Sequence, residues 1–158
     1  MKRLVLLLSA FVVVTAASAE PFVVIVRHAE KAVSAGNDPD LAPAGRERAD
    51  ALARMLKDFG VTTIFASEFK RTQETAAPTV KSTGVAPTVV PAKDIAALVS
   101  KLHQLKGNAL VVAHGDTIPN IARALGIDMP IQIPDDDYTE LLVVTVGDKP
   151  QLLRLHFP

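Results

Sequence analysis

The chain contains no cysteine and no tryptophan, and only one tyrosine and six phenylalanines among its 158 residues. Without cysteine there is no disulfide framework and no lipid-modified cysteine, and an oxidising compartment has no bearing on the fold. So few aromatic side chains argue against a platform on which bases or sugars stack. A surplus of either charge is also missing, since 17 Lys and Arg balance 17 Asp and Glu. No basic excess draws the chain to nucleic acid or to an anionic membrane. The N-terminal apolar stretch, Leu4 to Val14, falls well short of the roughly 20 residues that a spanning helix needs. No internal repeat, linker or low-complexity segment interrupts the chain.

What the N-terminus does have is the layout of a secretory leader. Lys2 and Arg3 precede the uncharged run Leu4 to Val14, and Ala17-Ser18-Ala19 follows it as an A-x-A cleavage pattern. Residues 1–19 are therefore expected to be a cleaved signal peptide, and 20–158 a single domain large enough for a sizeable core. Loss of Lys2 and Arg3 leaves 15 basic against 17 acidic residues. The expected location is the bacterial periplasm or the exterior, with no stable membrane insertion after cleavage.

Beyond the leader, short apolar strands alternate with helical patterns. Phe22 to Val26 is a continuous apolar run of the kind used by a sheet covered on both faces. Ala32 to Pro39 is loop-like in composition. Ala44 to Phe59 has helical spacing, with Gly60 placed as a stop. Thr62 to Ala66 is rich in β-branched residues. Ser67 is set to cap the next helix, which carries Arg71, and Pro78 is expected to end or kink it. A short strand over Pro87 to Val90, a helix over Ile95 to Leu105, a strand over Ala109 to Ala113 and a helix over Ile118 to Leu125 follow. Leu141 to Val146 and Leu152 to Phe157 form a hairpin about Gly147-Asp148-Lys149-Pro150. This alternation predicts an α/β fold, a three-layer α/β/α sandwich whose mostly parallel sheet has an antiparallel edge hairpin.

Three of these strands end in chemistry-bearing residues. The first delivers Arg27-His28-Ala29-Glu30, the second Ser67 to Arg71, and the fourth His114 to Thr117. In a parallel sheet such ends share one edge, where open α/β sheets keep their ligand crevice. A neutral imidazole can attack phosphorus, and paired guanidinium N–H groups can stabilise the equatorial oxygens of a transferring phosphoryl group. Arg27, His28, Arg71 and His114 supply all that such a transfer needs except a proton for the leaving atom.

These segments, Arg27-His28-Ala29-Glu30-Lys31, Ser67-Glu68-Phe69-Lys70-Arg71-Thr72 and Val112-Ala113-His114-Gly115-Asp116-Thr117, resemble the histidine phosphatase superfamily, which includes the phosphoglycerate mutases. Leu41-Ala42-Pro43-Ala44-Gly45 is similar to the L-T-x-x-G segment that opens that family's first helix. The resemblance spans essentially all of residues 20–158. It implies a phosphatase in which His28 becomes phosphorylated, Arg27 and Arg71 bind the phosphoryl group, His114 completes the pocket and water hydrolyses the phosphohistidine. It implies no metal or other cofactor. The substrate would be a phosphomonoester or phosphoramidate on a small molecule, glycan or protein, with no role for nucleic acid. Ala29 stands where the family usually has glycine. Larger members supply a proton-donating Glu that has no counterpart here. Asp94 lies nearest in order, as a general acid or as the cap of the helix after it. Glu30 is read as orienting a pocket arginine or facing water, and Ser67 as a cap or a group beside the phosphate. Asp116 and Thr117 are read as helix caps, Asp135-Asp136-Asp137 as a solvated loop and His103 as exposed. His156 has no assigned role. A noncatalytic phosphate or phosphoprotein binding module on the same scaffold is the alternative. A phosphomutase is disfavoured, because the long insertions that would shield its intermediate are missing.

Overall fold

The structure, a computed structural model, describes residues 20–33 and 36–157; the expected signal peptide lies outside them. Strand β1 (Phe22–Arg27) leads to helix α1 (Pro43–Met55), β2 (Val61–Ala66), α2 (Lys70–Thr83) and β3 (Pro87–Val89). Then come α3 (Ile95–Leu102), β4 (Asn108–Ala113), α4 (Ile118–Ala124), β5 (Glu140–Thr145) and β6 (Leu152–His156). They build a six-stranded sheet in the order β3-β2-β4-β1-β5-β6. Strands β3, β2, β4 and β1 run parallel; β5 is antiparallel to β1, and β6 to β5.

The continuous apolar runs have a simple reason. Alternate residues of a strand face opposite sides, so a strand covered twice must be apolar throughout. Val23 and Ile25 pack with Leu98 and Leu102 of α3 and Ile118 and Ile121 of α4. Val24 and Val26 pack on the other face with Leu52 of α1, Ala76 of α2 and Phe157. The result is the expected three-layer sandwich with its antiparallel hairpin at one edge. Among the described residues no helix is long and apolar enough to cross a membrane.

Several element boundaries differ from the sequence expectation. The first helix stops at Met55, and its last turn tightens into a 3₁₀ turn over Leu56–Asp58 before Gly60 takes a positive φ of 62°. Helix α3 ends at Leu102 rather than Leu105, because the chain must turn to begin β4 at Asn108. Strand β3 ends at Val89. Pro78 does not end α2, which continues to Thr83. Buried Thr75, Ala76 and Thr79 pack the helix on both sides of the proline, which offsets a penalty of about 3 kcal/mol.

Helix α1 seats the loop after β1 through Gly45. A Cβ there would be driven into the backbone carbonyl of Glu30, the group that accepts a hydrogen bond from Ala42 N–H at 2.8 Å.

Candidate active site

Sheet register brings the site together. Arg27 lies opposite Ala113, and the His28 N–H donates to the Ala113 carbonyl at 2.9 Å. One residue further, the rings of His28 and His114 stand edge to face with centroids 5.3 Å apart. On the other side of β4, Ala66 pairs with Val112, so Ser67 reaches the same edge. Its hydroxyl is 2.9 Å from His114 Nε2 and 2.9 Å from the Thr72 hydroxyl. Ser67 is therefore not the side-chain cap of α2. That helix begins three residues later, after Phe69, and has no cap from its own N-cap side chain.

His28 is only 5% exposed. Its Nδ1 lies 2.8 Å from the Ala29 carbonyl. A carbonyl can only accept, so Nδ1 carries the proton and Nε2 keeps its lone pair. Burial is the main force pushing the imidazolium pKa down, to about 4, with His114, Arg71 and Arg27 adding repulsion and the Ala29 hydrogen bond opposing it. His28 is thus a neutral base over most of the pH range. Burial, then Arg71, also lowers the pKa of His114, although Asp116 and Glu68 pull the other way. Ala29 is fully buried, and its N–H donates to Thr75 Oγ1 at 2.9 Å. This ties the His28 loop to α2.

The two arginines are held alike. Arg27 Nη1 donates to the carbonyls of Pro134, at 2.7 Å, and Asp137, at 3.3 Å, while its guanidinium sits 4.5 Å over the Tyr138 ring. Arg71 stacks 4.3 Å over Phe69, with Nη1 3.8 Å from Asp38 Oδ1. In both side chains Nε is buried and has no partner. Phe69 also meets the His114 ring edge-on at 5.3 Å, and Tyr138 lies 6.2 Å from the His28 ring.

The remaining sequence candidates fall as follows. Glu30 orients an arginine, but it is Arg48 of α1 and neither pocket arginine. The pair is 2.7 Å apart, and although burial works against the Glu30 carboxylate, the Arg48 hydrogen bonds outweigh it and hold its pKa low. Asp94 is exposed and caps α3, accepting from Ala97 N–H at 3.0 Å. Thr117 bonds back to the His114 backbone instead of capping α4, and no acidic side chain assists that helix's first turn. The Asp135–Asp137 run is not merely a solvated loop. Asp137 folds it by accepting from Thr139 N–H and hydroxyl at 2.8 Å each, and the turn so made offers Arg27 its carbonyls. His103 is exposed, and exposed His156 bonds the Thr139 hydroxyl at 3.1 Å. Among the described residues no cluster of three or more His, Asp or Glu could hold a metal ion.

Sequence reasoning missed Tyr138, Phe69, Asp38 and Thr75. Tyr138 is the sole tyrosine, and Phe69 stands two residues before Arg71; in a chain so poor in aromatics, those were the available signals. Nothing local marked Asp38, which reaches Arg71 only through the folded loop.

The description of the histidine phosphatase superfamily (branch 1) matches residues 23–95. This segment includes Arg27, His28 and Arg71. Over that segment the chain is similar to this superfamily. Among solved structures, it resembles the protein histidine phosphatase SixA complexed with tungstate, at 19% identity and a TM-score of 0.73, over 85% of this chain and 96% of that one. A putative alpha-ribazole-5'-P phosphatase from Escherichia coli K-12 is 15% identical with a TM-score of 0.71, over 87% and 96%. The putative phosphohistidine phosphatase SixA from Agrobacterium tumefaciens is 18% identical with a TM-score of 0.62, over 85% and 97%. No curated protein matches the chain.

Proposed function

We propose that this chain is a phosphatase working through a phosphohistidine on His28. The observation that carries the reading is a buried histidine with its tautomer fixed, beside two guanidinium groups whose buried Nε–H donors have no acceptor. Nε2 of His28 attacks phosphorus, and the bond from phosphorus to the leaving atom breaks. The Nε–H donors of Arg27 and Arg71 face the charge that gathers on the equatorial oxygens. Water then attacks the phosphorus, the P–N bond breaks, and inorganic phosphate and neutral His28 are regenerated. The tungstate in the SixA structure is a tetrahedral oxyanion, in keeping with a site of this kind.

The candidate donors for the leaving atom are engaged elsewhere or disfavoured. Asp94 is engaged as the α3 cap, Glu30 holds Arg48, and burial disfavours a protonated His114. The site therefore favours leaving groups that need little help, namely phosphoramidates and aryl esters over alkyl phosphates. Asp94→Asn should change turnover of both substrate classes less than threefold; a selective loss on alkyl phosphates would make Asp94 the donor.

The deciding experiment uses residues 20–158 and an aryl phosphate, with rapid acid-free quenching to trap the phosphoenzyme. Turnover with a base-stable, acid-labile phosphoenzyme that disappears in His28→Ala is the expected result. Oxyanion binding without turnover would make the chain a binding module, and phosphate moved between positions of one substrate would make it a mutase. The same reading includes export. Protein recovered from the periplasm or medium should have the intact mass of a chain beginning at Glu20, and a full-length cytosolic product would refute export.

A further inference from the structure

Both site arginines are anchored through Nη1, and both leave Nε buried and unpartnered. The Nη1 atom lies on the Cδ side of the guanidinium. An anchor there leaves the other edge, Nε–H with Nη2, as the fork for bidentate contact with an oxyanion, although in Arg27 the exposed Asp135 carboxylate stands 4.0 Å from Nη2. For Arg27 the anchors are the backbone carbonyls of Pro134 and Asp137. For Arg71 the corresponding anchor is a single side chain, Asp38, at 3.8 Å.

We propose that Asp38 is the positioning residue that turns the Nε/Nη2 edge of Arg71 toward the phosphoryl group. The inference rests on the functional reading above. Asp38 has two contacts that can be separated. Its Oδ1 accepts the Lys70 N–H at 3.0 Å, which gives α2 the cap that Phe69 cannot provide. The same oxygen faces Arg71 Nη1 as a charge. The loop that carries it is stitched to α2 at two further points, Lys70 Nζ to Asp40 at 3.1 Å and Leu41 N–H to Glu74 at 2.7 Å. Asp38 is thus held against the first turn of α2 independently of its contact with Arg71. Phe69 beneath the guanidinium fixes its plane but not which edge points inward; Asp38 fixes that edge.

Asp38→Asn separates the roles, because an amide oxygen can still accept from Lys70 N–H but carries no charge for Arg71. A misaligned Arg71 still attracts anions and loses its match to the transition state. Asp38→Asn should therefore lower kcat/KM for an aryl phosphate about 10-fold, mainly through kcat, and weaken orthovanadate inhibition about as much. Inorganic phosphate, a ground-state ligand, should weaken less than threefold, and the melting temperature should stay within about 2 °C. In an Arg71→Ala background, Asp38→Asn should have no further effect on kcat/KM, since the two residues would act as one unit. The proposal is overturned if Asp38→Asn equals wild type while only Asp38→Ala is impaired, which would make Asp38 a helix cap and nothing more. It is also overturned if the Asp38→Asn loss persists in full without Arg71. A wild-type chain that neither turns over aryl phosphate nor binds vanadate would instead remove the functional reading on which it rests.

Discussion

At the scale of single residues, the site depends on the protonation of one buried ring. His28→Ala should cut turnover by at least ~10³-fold while the fold survives, because the covalent route is removed; activity within tenfold of wild type would discard His28 as nucleophile. Arg71→Lys keeps a positive charge but not the fork. It should therefore lower kcat/KM and weaken vanadate binding together, and equality with wild type in both would put Arg71 outside the pocket. The folded protein keeps His28 neutral down to about pH 4, whereas the unfolded chain's histidine takes up a proton near 6.5. Between those values the unfolded state binds more protons, so stability rises with pH through this window. The contribution of His28 is complete above 6.5 and is lost as pH falls toward 4, on the order of 3 kcal/mol. An NMR titration of the His28 ring, assigned by its disappearance in His28→Ala, should give a midpoint well below 6.5; a midpoint at or above that value would mean the ring is solvated or ion-paired.

At the scale of elements, the sequence was most readable where burial imposes a pattern. Strands β1 and β4 are doubly covered, and their unbroken Val, Ile and Leu runs could hardly be read otherwise. The polar residues at their ends followed at once, since a strand's end is where a covered chain first meets solvent. That α2 runs on past Pro78 was not legible, because the tertiary packing that holds it lies outside any sequence window. The loops after β1 and before β5 were unreadable for a related reason. Asp38, Asp137 and Tyr138 reach the arginines only across long separations in the chain, and no local spacing encodes those meetings. Two substitutions test the packing account. Gly45→Ala should destabilise the protein by about 2–4 kcal/mol, because backbone rather than a flexible side chain blocks the new methyl. An unchanged melting temperature would mean that α1 can slide away from Glu30. Pro78→Ala restores a helical N–H and should raise the melting temperature by about 3 °C or more; a lower value would show that the proline itself is part of the packing.

At the scale of the whole molecule, the contacts around the site close a ring that passes through the end of the sheet. Glu30 binds Arg48, Arg48 reaches the Phe157 carbonyl at 3.5 Å, and Phe157 N–H donates to Thr139 at 2.9 Å. Thr139 bonds Asp137, whose carbonyl holds Arg27 beside His28. The strand order carries a consequence for the way the chain comes into being. Strand β1 has no hydrogen-bonded neighbour near it in sequence, since Val24 faces Leu110 on one side and Val143 on the other. As the ribosome releases the chain from its N-terminus, the strand that leads to His28 waits unpaired until β4 has been made, and for its second neighbour until β5. Long-range pairings of this kind form late and slowly. A nascent fragment ending before β5 would contain Arg27, His28, Arg71 and His114 and still have an incomplete site, because β5, which fixes the second side of β1, would be missing and the turn whose carbonyls hold Arg27 would be unattached. The arrangement around His28 would be completed only with the last few dozen residues, so a half-made chain is silent.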